Sequence, residues 1–202
     1  MKLIEQRWEW VAKPQMPLQI IELAGRTCYK SEARADDESA ARFCRMLLRR
    51  GHESVMEHVS ASVRFITNRS ITHELVRHRL ASFSQESTRY VDYQDEMEFI
   101  QPVWLDAHSE GPFLRTCESA EVAYRIFRKI MGWRPEQARE VLPNALKTEI
   151  VMTANLREWR HVFKLRTSKA AHPQMRALML SCLEGFKREI PVLFDDIGEW
   201  RT

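Results

Sequence analysis

The segment RHRLASFSQESTRY, residues 77–90, carries the strongest signal in the chain. It begins at the end of a predicted helix and continues into a polar loop predicted over residues 81–88. Cations at a helix C-terminus are favoured by the helix dipole, by roughly 0.3 to 1 kcal/mol, which is a sufficient structural reason for Arg77 and Arg79. The loop adds hydroxyls, amides and Arg89, which donate hydrogen bonds, and it therefore predicts an anionic ligand such as a phosphate.

Hydrophobic periodicity on both sides of this segment predicts an α+β fold in which helices dominate. Strands are indicated where apolar residues alternate or β-branched residues cluster, and they cover residues 2–12, 59–65, 98–103 and 147–154. The predicted helices cover 17–30, 36–50, 115–131, 135–143 and 173–189. A further helix begins at Asn68 or Ser70 and ends at 79, and another is opened by a capping pair at Asn155 and Glu158. No repeat or linker divides the chain, so one domain over residues 1–202 is expected.

Composition excludes several classes of protein. The 202 residues are 44% hydrophobic and 29% charged with a formal net charge of +3, which fits a folded domain and argues against disorder. No stretch approaches the roughly 20 apolar residues of a membrane span, so we expect no membrane partner and a cytoplasmic location. The cations are 23 Arg and 8 Lys, a bias toward side chains that bind carboxylates and phosphates in two-point contacts.

Several common signatures of metal, redox and hydrolytic sites are missing from the sequence. The four cysteines are far apart and form no C-x-x-C pair, so we expect reduced, buried thiols rather than a zinc site or a disulfide framework. His73 and His78 are five residues apart and point to different faces of a helix, which predicts no metal site. There is no G-x-S-x-G, P-loop or G-x-G-x-x-G motif. If the chain binds a nucleotide, arginines and loop amides must therefore hold it.

Five segments, in order along the chain, match the pattern of one enzyme family. The first is HESVMEH at 52–58, which matches the pattern H-E-[ST]-x-x-E-H, and the second runs from Arg77 to Ser87 and matches R-H-R-x7-S. AREVLP at 138–143 matches A-R-x-x-L-P, and NLR at 155–157 matches N-x-R. LR at 165–166 with HPQ at 172–174 matches L-R…H-x-Q-x-[RE]. Over residues 52–176 the chain resembles the flavin-dependent thymidylate synthases.

This resemblance implies the methylation of dUMP to dTMP without a cysteine nucleophile. It implies methylenetetrahydrofolate as carbon donor, NADPH as reductant and FAD as hydride carrier, the cofactor supplying the redox chemistry. It also implies mixed helices around a central β-sheet, assembled as a homotetramer whose flavin sites lie between subunits. The partners implied are small molecules and further copies of the chain, with no nucleic acid.

The resemblance further implies roles for individual residues. Arg166 is expected to bind the uracil ring and favour its ionisation, because a permanently charged guanidinium stabilises negative charge on the pyrimidine. The positions implied for the flavin are Ser54, Arg77, His78, Arg79, Gln85, Asn155, Leu156, Arg157 and His161. The positions implied for dUMP are Glu74, Leu75, Val76, Arg77, Gln85, Glu86, Ser87, Thr88, Arg89, Arg139 and Arg166.

Two other interpretations of the arginine-rich segment stay open. A nucleic-acid-binding module would use residues 69–89 with aromatic side chains such as Phe83 and Tyr90. A structural interpretation makes the arginines ion-pair partners in an oligomer interface. Neither interpretation requires the ordered set of motifs. For His161, a flavin contact and a surface position on an amphipathic helix are equally compatible with the sequence.

Overall fold

The computed structural model of the chain describes residues 1–28, 30–31 and 38–198. Its internal contacts divide the chain into two compact units. The first unit comprises Met1–Glu9, Arg64–Arg77 and Phe83–Val151, and the second comprises Trp10–Val63, His78–Ser82 and Met152–Thr202. One domain over residues 1–202 stays a prediction.

The described residues form a mixture of strands and helices, which confirms the α+β class. The strands are β1 (Lys2–Ile4), β2 (Arg7–Ala12), β3 (Ser60–Asn68), β4 (Ala81–Gln85), β5 (Glu98–Ile100) and β6 (Lys147–Asn155). The helices are α1 (Pro17–Thr27), α2 (Ser39–Arg49), α3 (Arg69–Leu75), α4 (Glu110–Arg125), α5 (Pro135–Ala138), α6 (Leu156–Arg166), α7 (Pro173–Glu189) and α8 (Pro191–Phe194). Short 3-10 turns cover Ser54–His58 and Arg139–Val141, and a π-helical turn covers Ile126–Ile130. Four strands form a sheet in the order β2-β3-β6-β4.

The predicted strand over 2–12 is two strands with different partners. β1 pairs in parallel with β5, with Lys2 opposite Glu98, whereas β2 lies at the edge of the four-stranded sheet beside β3. The break falls at Glu5 and Gln6. Alternation along the sequence therefore predicted the extended conformation but not the change of partner.

The strongest local signals placed their elements well. β6 alternates strictly, with Thr148, Ile150, Met152 and Ala154 buried, as a strand with one covered face requires. α7 begins at Pro173 and ends at Glu189 as predicted, because proline is favoured in the first turn of a helix.

Asparagine caps open two of the helices. Asn68 Oδ1 accepts a hydrogen bond from the Ile71 amide at 3.1 Å, so Asn68, rather than Ser70, caps α3. Asn155 Oδ1 accepts from the Glu158 amide at 2.9 Å and opens α6. Each contact satisfies an amide that has no partner within the first turn.

Other helix boundaries shift by a few residues. α1 ends at Thr27 rather than at 30, and α4 begins five residues before the predicted 115, at Glu110. Within the described residues α2 begins at Ser39, and residues 36–37 of its predicted start lie outside them.

The loop predicted over 81–88 is wrong in its first part, because β4 covers Ala81–Gln85. Its serines and glutamine favour turns, but strand propensity depends strongly on the neighbouring strand. β4 lies beside β6 at the edge of the sheet, and the Glu86 amide donates to the Glu149 carbonyl at 2.8 Å. Pairing between distant segments therefore overrides the local composition.

The helix predicted to reach residue 79 ends at Leu75. Val76 caps its C-terminus, and its amide still donates to the Thr72 carbonyl at 3.1 Å. His78 lies three residues beyond the helix and is buried in the second unit. Arg77 therefore lies outside the helix, but its Nε donates to the His73 carbonyl in the last turn, as a C-terminal capping residue does, whereas Arg79 makes no such contact among the described residues.

Each unit has its own hydrophobic core. The core of the first unit contains Met97, Phe99, Cys117, Tyr124, Ala138 and Leu146. An aromatic cluster lies in the second unit, where the Trp159 ring is 5.0 Å from Phe186 and 5.6 Å from Phe163 between centroids.

Thiols and helix lengths bear on two further predictions. Cys44, Cys117 and Cys182 are free and buried as expected, whereas Cys28 is free but exposed, so its predicted burial is wrong. Cys28 directly follows the last residue of α1. Of the helices in the described ranges, none combines the length and the apolar character needed to cross a membrane.

Candidate functional site

Helix α6 organises the predicted residues of the second unit. The Leu156 amide donates to the Val59 carbonyl at 2.8 Å and ties the start of the helix to the residue before β3. Arg157 and His161 project from α6 as exposed side chains, and Arg166 is its last residue. Leu156 is fully buried, so its side chain belongs to the core and only its backbone is suited to a cofactor contact.

The His78 imidazole lies between two side chains of α6. Arg166 Nε donates a hydrogen bond to His78 Nε2 at 3.0 Å, although the two residues are 88 positions apart. On the other side of the ring, His78 Nδ1 is 3.4 Å from Glu158 Oε1. His78 and Glu158 are only 4% and 6% exposed. The His161 ring meets His78 edge to face at 5.7 Å between centroids.

Electrostatics keep His78 neutral at physiological pH. Burial lowers its pKa to about 4, and the nearby charges of Arg166 and His161 act in the same direction. The contact with Glu158 is therefore between a carboxylate and a neutral imidazole and is not an ion pair. A neutral imidazole carries one proton, and since Nε2 accepts from Arg166, that proton is on Nδ1 and faces Glu158.

The same side chains are close enough to hold a metal ion. Ligand atoms of His78, Glu158 and His161 all lie within 4.8 Å of one another. Coordination by His78 Nδ1 would displace its proton to Nε2, where it would meet the N–H of Arg166. The hydrogen bond from Arg166 thus favours a polar network over a metal centre.

The lowered pKa of His78 makes the free energy of unfolding depend on pH. In the unfolded chain histidine titrates near its ordinary value of 6.5, whereas the folded imidazole gains a proton only near pH 4. Between these values the unfolded state binds more protons, so stability is lost as the pH falls through this window. We expect His78 to contribute a loss of about 2 kcal/mol between about pH 7.5 and about pH 5, measured by urea unfolding.

The variant His78→Gln tests this assignment, because it removes the titrating group and keeps a polar side chain of similar length. Its unfolding free energy should depend less on pH than that of the wild type. His108→Gln, which alters an exposed histidine of the first unit, should keep the wild-type dependence. Equal pH dependence in wild type and His78→Gln would contradict the prediction.

A cleft of about 500 Å³ opens beside this network within the second unit. Its lining residues are Glu53, Glu57, Leu80, Asn155, Arg157, Glu158, His161 and Lys164. Arg157 pairs with Glu57 across the lining, and both side chains are about half exposed. Ser54 is exposed and begins the 3-10 turn that carries Glu57, but it does not line this cleft.

Arg79 is one of several exposed arginines in the second unit. Its guanidinium is exposed and, among the described residues, forms no hydrogen bond or ion pair. Leu80, the next residue, lines the cleft. An exposed arginine beside a cleft is suited to an anionic ligand, since planar guanidinium groups bind phosphates at two points.

The first unit holds most of the residues predicted to contact dUMP. Arg139 Nη1 donates to Thr88 Oγ1 at 3.5 Å, which brings the A-R-x-x-L-P segment to the loop after β4. Ser87 organises a turn in this loop, because its carbonyl accepts from the amides of Tyr90 and Val91 at 3.1 and 2.9 Å. Arg89 is exposed there, with its guanidinium 5.5 Å from the centre of the Tyr90 ring.

Two of these predicted residues have structural partners. The Gln85 amide donates to Thr72 Oγ1 at 2.9 Å and to Thr148 Oγ1 at 3.3 Å, which joins β4 to α3 and β6. Glu86 accepts from the Tyr93 hydroxyl at 2.5 Å and from Lys147 Nζ at 3.3 Å. These contacts fix the position of the loop. The side chains of Gln85 and Glu86 already have protein partners, so the other residues of the loop are better suited to contact a ligand.

The remaining predicted residues surround the end of α3. Leu75 is fully buried, so only its backbone is suited to a ligand. Val76 and Arg77 are exposed, and Arg77 Nε donates to the His73 carbonyl at 3.4 Å. Arg77 and Gln85 belong to the first unit, although the resemblance assigns them to the flavin as well as to dUMP, and Arg166 belongs to the second.

Sequence reasoning missed the role of Glu158. The sequence predicts Glu158 as part of a capping pair with Asn155, but only its backbone amide takes part in that cap, whereas its side chain faces His78. A local signal did exist, because Glu158 and His161 are three residues apart and share a face of α6. Glu53, Glu57 and Lys164 of the cleft were also missed.

Comparisons with known proteins identify the family of the chain. A family model described as "Thymidylate synthase complementing protein" matches residues 10–192. The chain is similar to a protein named flavin-dependent thymidylate synthase from Mycobacterium sp. strain JLS, with 36% identity covering 94% of this chain and 87% of the relative. A protein of the same name from Corynebacterium efficiens is 38% identical, covering 88% of this chain and 78% of the relative.

The fold also resembles a solved structure. A crystal structure of the UMP/dUMP methylase PolB from Streptomyces cacaoi, bound with 5-Br dUMP, superposes with a TM-score of 0.82 at 23% identity over 96% of each chain. At this identity the likeness supports the α+β fold. The family model and the two relatives extend over most of the sequence, and this chain belongs to the flavin-dependent thymidylate synthase family of enzymes.

Proposed function

We propose that this chain catalyses the reductive methylation of dUMP to dTMP. In this proposal methylenetetrahydrofolate donates the carbon, NADPH is the reductant and FAD carries the hydride. The observation that carries it is the hydrogen bond from Arg166 to His78, because it joins two family motifs from distant parts of the chain.

The second unit fits a flavin with an anionic diphosphate. Arg79 is exposed with no partner among the described residues. Arg157 and Lys164 line the cleft, where they pair with Glu57 and Glu53 and would exchange these partners for the phosphates. Asn155 offers a side-chain amide at the same cleft. When bound, the flavin would supply hydride chemistry that no amino-acid side chain provides.

The proposed role of Arg166 is to stabilise negative charge on the uracil ring. Its guanidinium stays cationic at any physiological pH and therefore favours the ionised form of the uracil imide. The His78 acceptor fixes the Nε edge of the guanidinium, so the group is oriented before the substrate arrives. Preorganised charge of this kind is effective because it does not have to reorient during the reaction.

The phosphate of dUMP is assigned to the first unit. Ser87 offers a hydroxyl, Arg89 an exposed guanidinium, and Arg139 a second guanidinium at Thr88. The Tyr90 and Val91 amides donate to the Ser87 carbonyl and the Arg89 amide donates to the Ser87 hydroxyl, so we assign the phosphate contact to side chains.

The thiols support a mechanism without a cysteine nucleophile. Burial raises the pKa of Cys44 to about 12 and that of Cys117 to about 11, and it also raises the pKa of Cys182. A thiol is nucleophilic as its thiolate, so these three are poorly suited to attack a substrate. The exposed Cys28 donates to the Ala24 carbonyl at 3.5 Å and lies outside the family motifs.

A homotetramer is part of the proposal, because the family resemblance implies flavin sites shared between subunits. Size-exclusion chromatography with light scattering should give a mass about four times the 23.9 kDa of one chain. A monomer that turns over at full rate would contradict this arrangement.

Absorption spectroscopy tests the function directly. Purified protein mixed with FAD should keep a flavin band through gel filtration, the band should bleach with NADPH in the absence of oxygen, and dUMP should change the bleaching rate. With methylenetetrahydrofolate present, dUMP should become dTMP. Protein that retains no flavin and binds oligonucleotides with strong salt dependence would favour the nucleic-acid interpretation instead.

Arg79→Ala is expected to weaken FAD binding by about 10- to 100-fold, because charge-assisted contacts to a phosphate contribute roughly 1.5 to 3 kcal/mol. Titration of flavin fluorescence gives the Kd. Since Arg79 has no partner among the described residues, the melting temperature without FAD should not change. An unchanged Kd would remove Arg79 from the flavin site, and Arg188→Ala on α7, another exposed arginine, is the control.

A further inference from the structure

Glu158 is a buried carboxylate without a cationic partner. Its side chain is 6% exposed, and within the part of the chain that the structure describes no lysine or arginine pairs with it. Burial raises its pKa, and only the charge of His161 opposes this effect. Burying a carboxylate without an ion pair is unfavourable, and such groups are concentrated at functional sites.

The position of Glu158 links it to Arg166 through one imidazole ring. Glu158 Oε1 lies 3.4 Å from His78 Nδ1, and Arg166 Nε lies 3.0 Å from His78 Nε2. A neutral imidazole with its proton on Nδ1 suits both neighbours, because it turns an N–H toward the carboxylate and an acceptor toward the guanidinium. The other tautomer presents a lone pair to the carboxylate and an N–H to Arg166, so it is unfavourable at both ends.

We propose that Glu158 is a positioning residue that holds the His78 proton on Nδ1 and thereby keeps Nε2 available to orient Arg166. Its effect on turnover rests on the proposed function, since Arg166 is the group that would act on uracil. Its effect on the tautomer of His78 does not. A carboxylate often fixes the tautomer and orientation of a histidine, and at metal-binding histidines the loss of such a partner typically costs about 10- to 100-fold in metal affinity or activity.

The test compares Glu158→Ala, which removes the acceptor, with Glu158→Gln, which keeps an oxygen in nearly the same volume. ¹⁵N NMR of protein labelled at histidine, with the His78 signals identified by their loss in His78→Gln, distinguishes the tautomers. Wild type and Glu158→Gln should carry the proton on Nδ1, whereas Glu158→Ala should populate both tautomers. Glu184→Ala removes an exposed glutamate of α7 and should match the wild type in both measurements.

Kinetics then separate positioning from general destabilisation. In Glu158→Ala the kcat for dTMP formation should fall by about 10-fold with a smaller change in the KM for dUMP, and Glu158→Gln should recover most of this loss. A wild-type tautomer and wild-type kcat in Glu158→Ala would overturn the proposal. Stoichiometric Zn²⁺ binding that depends on Glu158 and shifts the His78 signals would overturn it in favour of a metal site.

Failure of the proposed function gives a different pattern. If the wild type forms no dTMP, the kinetic comparison disappears, but the tautomer in Glu158→Ala is still measured. A change of tautomer without any thymidylate synthesis would keep the His78 network and reject the reaction.

Discussion

Arg166→Ala is expected to lower the rate of dTMP formation by about 100- to 1,000-fold, because removing one preorganised charge-stabilising group from an active site has an effect of this size. The loss should fall mainly on kcat, since negative charge on the uracil ring is greatest when the ring acts as a nucleophile. The Kd for FAD should stay within about threefold, because the proposed contact is with the pyrimidine. Quantified dTMP at varied dUMP gives kcat and KM, and titration of flavin fluorescence gives the Kd for FAD.

Arg166→Lys should also be poor. Lysine keeps the positive charge, but its ammonium is a point charge without the planar fork of the guanidinium. It also has no group equivalent to Nε, which donates to His78 in the wild type. If Arg166→Lys turned over at nearly the wild-type rate, charge alone would be sufficient and the orientation argument would be wrong.

Arg188→Ala is the matched control for both Arg166 variants. Arg188 is an exposed arginine on α7, so its removal changes the net charge by the same amount without touching the proposed site. It should keep wild-type turnover. Near-normal dTMP formation by Arg166→Ala would exclude Arg166 from the chemistry.

Trp159→Ala is expected to give the largest loss of stability, about 4 kcal/mol in the free energy of unfolding, since truncating a buried aromatic side chain leaves a large cavity. Trp159 is fully buried, and its Nε1 donates to the Ala61 carbonyl at 3.1 Å. Its ring packs on Phe163 and Phe186. Urea unfolding followed by circular dichroism measures the change.

Two further variants separate packing from hydrogen bonding at this position. Trp159→Phe keeps most of the aromatic contact and loses the N–H donor, so it should cost less than half as much as Trp159→Ala. Trp104→Ala removes a tryptophan that is more than half exposed and should cost much less than the core variant. A Trp159→Ala protein within about 1 kcal/mol of the wild type would show that the second unit does not depend on this cluster.

Local sequence signals predicted the elements whose stability is itself local. Pro173 began a helix where it was expected, Asn155 capped another, and the apolar, β-branched run over 147–154 became β6. In each case a few adjacent residues supply the backbone partner or the buried face. β4 was missed because its partner strand is distant in the chain, and Ser-rich composition carries no information about that partner.

The candidate site also combines residues that the sequence predicted with contacts that only the folded structure shows. The motifs named Arg166 and His78 from the sequence through a family resemblance, and the family itself is confirmed. Neither residue type nor spacing indicated that the two side chains touch, or that Glu158 completes the contact. Gln85 and Glu86 appeared equivalent to Ser87 and Arg89 in the sequence, yet the first two are held by protein partners.

The sequence by itself determined the identity of the chain's motifs, the family they belong to and the helices and strands with strong local signals. Only the tertiary structure decided which of those residues meet, because a contact across 88 positions depends on how β6, α6 and the segment after α3 pack. It also decided the protonation of His78, since burial and the neighbouring charges, which do not exist in the unfolded chain, lower its pKa to about 4.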